Sequence, residues 1–189
     1  MSRPVLGAVA MAVGFAFSAA AGAQAMSKDE YKAAKRQAAA AYKAANAACA
    51  SQSGNARDIC KAQASGSDKV AKAELEAKYK PSDKASYKVR VARADADYSV
   101  AREKCDDAAG NVKDVCVKEA KAAAVAAKAD AKVPKTAAQG STNSAEARKD
   151  ARAEKRDADY AVAKEKCDAL AGETKNGCIA EAKARFGKS

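Results

Sequence analysis

The stretch that decides the fold is Cys105-Asp106-Asp107-Ala108-Ala109-Gly110-Asn111-Val112-Lys113-Asp114-Val115-Cys116, two cysteines separated by ten residues with a glycine in the middle. The same separation recurs at Cys49 and Cys60 and at Cys167 and Cys178. Gly54, Gly110 and Gly172 each lie five residues after the first cysteine, and Tyr42, Tyr98 and Tyr160 each lie seven before it. Basic Arg57, Lys113 and Lys175 follow in register, then Asp58, Asp114 and Asn176. A continuous helix would place two residues eleven apart about 16 Å from each other along its axis, beyond the reach of a disulfide. Folded back at the glycine, the same two cysteines oppose one another within reach. Of the fifteen ways to pair six cysteines, the spacing therefore selects Cys49 with Cys60, Cys105 with Cys116 and Cys167 with Cys178. The chain is expected to be all-α, three disulfide-clasped αα-hairpin repeats forming an elongated array or a thin helical bundle.

The local chemistry of the turn agrees. Gly54, Gly110 and Gly172 suit the left-handed position just past a helix C-terminus, and Asn55 or Asn111 beside it is suited to cap the next helix. Asp58 and Asp114 would then fall at the third position of that helix, facing its exposed amides. The third copy carries Glu173 in place of the Asn and adds Gly177, so its cap is expected to be weaker. Ser27 with Glu30, and Asn143 with Glu146, read as further helix starts, and Pro81 and Pro134 as interruptions.

The start of the chain has the layout of a secretory signal peptide: one charge at Arg3, an apolar run from Pro4 to Ala20, and a small-residue cleavage region at Ala21 to Ala25. Cleavage after Ala25 and a periplasmic location are expected, with an extracellular one as the alternative. Six cysteines in an exported chain favour disulfides over free thiols or metal ligands. The expected organisation is a signal peptide at 1–25, hairpin repeats at 26–80 and 81–133, a linker at 134–143 and a third repeat at 144–189.

Composition explains why cross-links are needed. Beyond residue 25 the only Leu, Ile and Phe residues are Leu75, Leu170, Ile59, Ile179 and Phe186, so the 48% hydrophobic content is mostly alanine. Such a chain cannot bury much apolar surface, but Ala, Lys, Glu and Arg all favour helix. A heptad-like seam runs Tyr87, Val91, Ala94, Tyr98, Ala101, Cys105, Ala108, which assigns Tyr42, Tyr98 and Tyr160 to packing within the repeats.

No catalytic residues, metal ligands or cofactors are predicted. The chain has no His, which removes His-based nucleophilic catalysis and most zinc and copper sites, and it has no C-x-x-C motif. Asp95 with Asp97, and Asp157 with Asp159, are two residues apart, so on a helix they diverge and cannot chelate. A formal charge of +11, or +10 once residues 1–25 are removed, admits anionic polymers as ligands, with the lysine-rich stretch Lys118 to Lys135 as one candidate contact. The partners expected are envelope proteins or anionic envelope polymers, with no small-molecule substrate evident.

The runs Lys118-Glu119-Ala120-Lys121-Ala122-Ala123 and Glu181-Ala182-Lys183-Ala184 resemble the helical stalk of the TolA envelope protein, although TolA's membrane anchor and globular C-terminal domain have no counterpart here. The Tyr, Cys, Gly-Asn, Asp, Cys pattern resembles a group of uncharacterised exported Ala/Lys-rich helical repeat proteins of Gram-negative bacteria. That resemblance covers the whole mature chain and implies no established activity; with no catalytic constellation in the sequence, the expectation is a non-enzymatic periplasmic protein of the cell envelope, structural or interacting, with stress-related or chaperone-like binding as one use. The alternative is a basic polyanion-binding protein, for lipopolysaccharide, another anionic envelope polymer or extracellular DNA.

Overall fold

A computed structural model describes residues 26–137 and 140–189; the proposed signal peptide and its cleavage site lie outside them. Six helices follow in order: α1 Lys28–Ala48, α2 Gly54–Tyr79, α3 Asp83–Lys104, α4 Gly110–Ala137, α5 Ser141–Cys167 and α6 Gly172–Phe186. No strand occurs among the described residues. Three hairpins result, α1/α2, α3/α4 and α5/α6, each closed by its own bridge with Cα atoms 5.6, 5.6 and 5.7 Å apart.

The helices pack serially, each on its neighbours in sequence, and the most extensive contacts are α4 with α5 and α2 with α3. The hairpins are thus held to one another by longer seams than the two helices of any one hairpin. The reason is visible in the buried residues. Among the described residues every buried apolar side chain is alanine or half-cystine: nine alanines, including Ala94, Ala129 and Ala131, and the first cysteine of each bridge, at 0 or 1% exposure. Small side chains allow close helix approach, as at Gly66 on α2. A Cβ built there would stand 2.8 Å from the Cβ of Ala96 on α3.

At about 0.8 kcal/mol per buried methyl the nine alanines contribute roughly 7 kcal/mol. Three short-loop bridges at about 3 kcal/mol each contribute at least as much. The fold therefore leans on its cross-links to a degree unusual for a chain of this length.

Helix starts follow expectation at α1, where Ser27 and Glu30 form a reciprocal capping box: the Glu30 amide donates to the Ser27 hydroxyl at 3.3 Å and the Ser27 amide to the Glu30 carboxylate at 2.8 Å. Pro81 lies between α2 and α3, with Ser82 capping α3 through the Ala85 amide. Three expectations are corrected. Pro134 does not interrupt, since α4 runs through it to Ala137; α5 begins at Ser141 rather than at Asn143; and of the linker expected at 134–143, residues 134–137 and 141–143 are helical. Contacts on both sides of the proline hold the helix together. Lys132 donates to Glu154 of α5 at 2.6 Å, the Lys135 ammonium sits 4.8 Å from the ring centroid of Tyr87 on α3, and Ala129 and Ala131 are buried. These contacts offset part of the roughly 3 kcal/mol that a helix-interior proline costs through its lost ladder bond and ring clash.

Candidate functional site

The recurring feature is the clasped turn, and its geometry can be built residue by residue. In the first two repeats the chain leaves the first helix through a short 3-10 turn that begins at the buried cysteine, Cys49–Ser51 and Cys105–Asp107. In the third, a hydrogen bond donated by the Leu170 amide to the Cys167 carbonyl makes the corresponding bend. Extended residues lead to the glycine, Gln52 and Ser53 in the first turn, Ala108 in the second and Ala171 in the third, and the glycine takes φ of +54°, +56° and +58° at Gly54, Gly110 and Gly172. This left-handed region is open to glycine and costly to other residues.

The glycine's place differs from expectation. It is the first residue of the second helix, not the residue ending the first. Asn55 and Asn111 therefore come two positions too late to be N-caps, and Asp58 and Asp114 fall at the fifth helical position, not the third. The side chains find other work. Asn111 donates from Nδ2 to the backbone carbonyl of Glu165, 54 residues on, at 3.0 Å, tying the second turn to the third hairpin. Asn55 occupies the same place in the first turn, but its Nδ2 is buried with no partner.

The basic residue of the motif clasps each turn. Lys113 pairs with Asp106 at 2.9 Å and Lys175 with Asp168 at 2.8 Å, the latter holding the Asp168 carboxyl below its ordinary range. The first repeat has Ala50 where the others have this aspartate, and Arg57 instead donates to the Gln52 carbonyl at 2.7 Å. The sequence pattern showed these residues in register without revealing what they touch.

A second set of in-register contacts, not anticipated, joins successive hairpins. Arg93 of α3 donates to Glu74 of α2 at 2.6 Å, and Lys155 of α5 to Asp130 of α4. In both, the base lies twelve residues before the first cysteine of its own repeat, and the acid fourteen after the second cysteine of the preceding one. Reading charges relative to the cysteines would have found them. The repeat tyrosines divide: Tyr160 packs at a tilt on Phe186 with ring centroids 6.3 Å apart and Tyr98 is half-buried on α3, whereas Tyr42 is 36% exposed. Tyr42 is thus only partly the packing residue expected. The tyrosine with the stronger tie in the first hairpin is Tyr31, stacked on Tyr79 at 4.4 Å and donating to Glu76 at 2.7 Å. That acceptor holds the phenol above its ordinary range.

Between helices run shallow grooves. One of about 660 Å³ lies between α2 and α3, lined by Gly66, Val70, Glu74, Arg93, Val100 and Lys104. Another of about 410 Å³ lies between α4 and α5, with Lys118, Lys121, Glu154 and Asp157 at its edges. Their walls carry both signs of charge. Among the described residues no cluster of three or more metal-ligating side chains is brought together, and no helix is long and apolar enough to cross a membrane. All six cysteines are bridged as the spacing predicts. No protein-family model, curated protein or solved structure matches the chain.

Proposed function

We propose that this protein is a non-enzymatic structural or interaction protein of the cell envelope, exported to the periplasm by a signal peptide cut after Ala25. The observation that carries the reading is the character of the buried interior. Among the described residues its apolar side chains are all alanine or half-cystine, so the chain spends its length on a clasped frame of helices that offers outer faces and shallow seams. Stable bridges suit an oxidising compartment, where a frame of this kind keeps its shape without a large apolar core. Holding other envelope proteins, including under stress, is a use such a surface supports. A second reading, polyanion binding, is favoured by the uneven charge: residues 26–80 hold eleven Lys and Arg against six Asp and Glu, whereas residues 81–133 hold eleven against nine.

The test is a pull-down from envelope extracts with residues 26–189 in oxidised form, beside a reduced and alkylated sample. Envelope proteins retained by the oxidised form alone are expected. Equal retention by both forms, or recovery of the endogenous protein from cytosol with free thiols, would overturn the reading.

A further inference from the structure

The three hairpins serve as controls for one another, and one feature belongs to the first alone. On α1, Lys28, Lys32, Lys35, Arg36 and Lys43 fall within an arc of about 100° and over about 22 Å of helix, from 3.6 residues per turn and 1.5 Å per residue. All five are exposed. The arc lies beside the face that packs on α2, which is marked by Tyr31 against Tyr79 and by Ala34, Ala38 and Ala41 against Leu75 and Lys78. No acid occurs from Tyr31 to Arg57. Among the described residues, Lys32 is the only one of the five within ion-pair distance of a carboxylate, at 3.9 Å from the exposed Asp29.

At the same five places counted back from the first cysteine, α3 carries Lys84, Lys88, Val91, Ala92 and Ser99, and α5 carries Glu146, Asp150, Ala153, Glu154 and Ala161. A stripe needed for folding or solubility would recur with the repeat; this one does not. The lysine-rich stretch Lys118 to Lys135 is a weaker candidate, because Lys118 pairs with Glu165, Lys128 with Asp95 and Lys132 with Glu154, while Lys135 covers Tyr87. Its charge is largely answered within the fold.

We infer that the exposed stripe of α1 is the binding surface for a linear polyanion, a phosphate-bearing polymer lying along the helix. The stripe is one helix wide, convex and long, which matches a chain of anions better than a compact one. Asn46 and Ala39 share the arc, and Tyr42, partly exposed, lies about 20° outside it beside Lys35; one bordering ring is far less apolar surface than an interfacial helix buries in a bilayer. The inference rests on the reading that the protein works through its surface.

Binding of a labelled oligothymidylate of 20 nucleotides to residues 26–189 tests it, since that polymer offers phosphates along a flexible strand. Five neutralised phosphates predict a log–log salt slope of about −3.5 and an affinity loss of roughly a hundredfold from 50 to 200 mM salt. The variant with Lys32, Lys35, Arg36 and Lys43 each changed to Gln is expected to bind at least tenfold more weakly at 50 mM salt, with its slope reduced to about −0.7. A charge-matched variant with Lys69, Arg90, Lys164 and Arg152 changed to Gln should bind within about twofold of the parent; helicity and blocked thiols confirm that both variants fold. Equal losses in the two variants, no binding by the parent, or stripe-dependent binding only to phosphatidylglycerol vesicles would each overturn the inference. A protein partner retained alike by the parent and the stripe variant, with no oligonucleotide bound, removes it while leaving the interaction reading intact.

Discussion

Gly66→Ala and Gly177→Ala are the same chemical change in the interior of a helix, and the structure gives them opposite signs. Replacing glycine by alanine in a helix gains up to about 1 kcal/mol from backbone entropy and propensity. At Gly177, on α6, an added Cβ meets nothing within 4 Å, so the gain should appear whole, as a stabilisation of about 0.5–1 kcal/mol. At Gly66 the added carbon would stand 2.8 Å from the Ala96 Cβ and 3.2 Å from its Cα. Neither of those atoms can swing away, because both are fixed to the backbone of α3. The helices must part by at least about 0.6 Å to restore ordinary contact, and overpacking of this kind costs about 1–3 kcal/mol. The Gly66 change is therefore a net loss of about 1 kcal/mol. For a chain of this size the two variants should melt roughly 4–8 °C apart, on opposite sides of the parent. Thermal unfolding of the oxidised protein by circular dichroism reads the difference. If Gly66→Ala stabilises as much as Gly177→Ala does, the close crossing of α2 and α3 is wrong.

Two further outcomes follow from the same geometry. Asn111→Ala should cost about 1 kcal/mol in urea unfolding by removing the bond to the Glu165 carbonyl, while Asn55→Ala, which deletes a buried amide without a partner, should be neutral or stabilising; equal losses would show that the asparagines act within their own turns. Amide exchange in the first two turns of α1 should depend on pH at both ends of the scale. The Glu30 carboxyl is lowered by the Ser27 hydroxyl and amide, so its contribution is complete above the ordinary glutamate range and lost as pH falls through the lowered value. The Tyr31 phenol is raised by Glu76, so its contribution is complete below the ordinary phenol range and lost as pH rises through the raised value. Protection that is flat from pH 3 to 11 would contradict both assignments.

The parts of the fold legible in the sequence are those governed by local geometry. Ten residues between cysteines, with a glycine between, admit one compact solution, and the bridges and turns follow from it. The capping box at Ser27 and Glu30 is local in the same sense. What escaped depends on a partner far along the chain. Asn111 looks like a cap because its acceptor lies in another hairpin, and Pro134 looks like a break because the contacts that hold α4 through it come from α3 and α5. The tyrosines show the limit of periodicity: Tyr42, Tyr98 and Tyr160 share a register, yet Tyr42 stays partly exposed on α1, a helix with no buried residue of its own. The basic face of α1 was present in the sequence as well, but it becomes distinctive only when the three hairpins are superposed by their cysteines.

If the bridges stand in for a hydrophobic core, thermal unfolding of residues 26–189 before and after complete reduction and alkylation, at neutral pH, must show it. Three bridges at about 3 kcal/mol each amount to most or all of the 5–15 kcal/mol by which a domain is ordinarily stable. The oxidised protein should show a cooperative transition, and the alkylated protein only residual helix that fades without a transition from room temperature upward. A reduced and alkylated protein that still unfolds cooperatively, within a few degrees of the oxidised one, would contradict it.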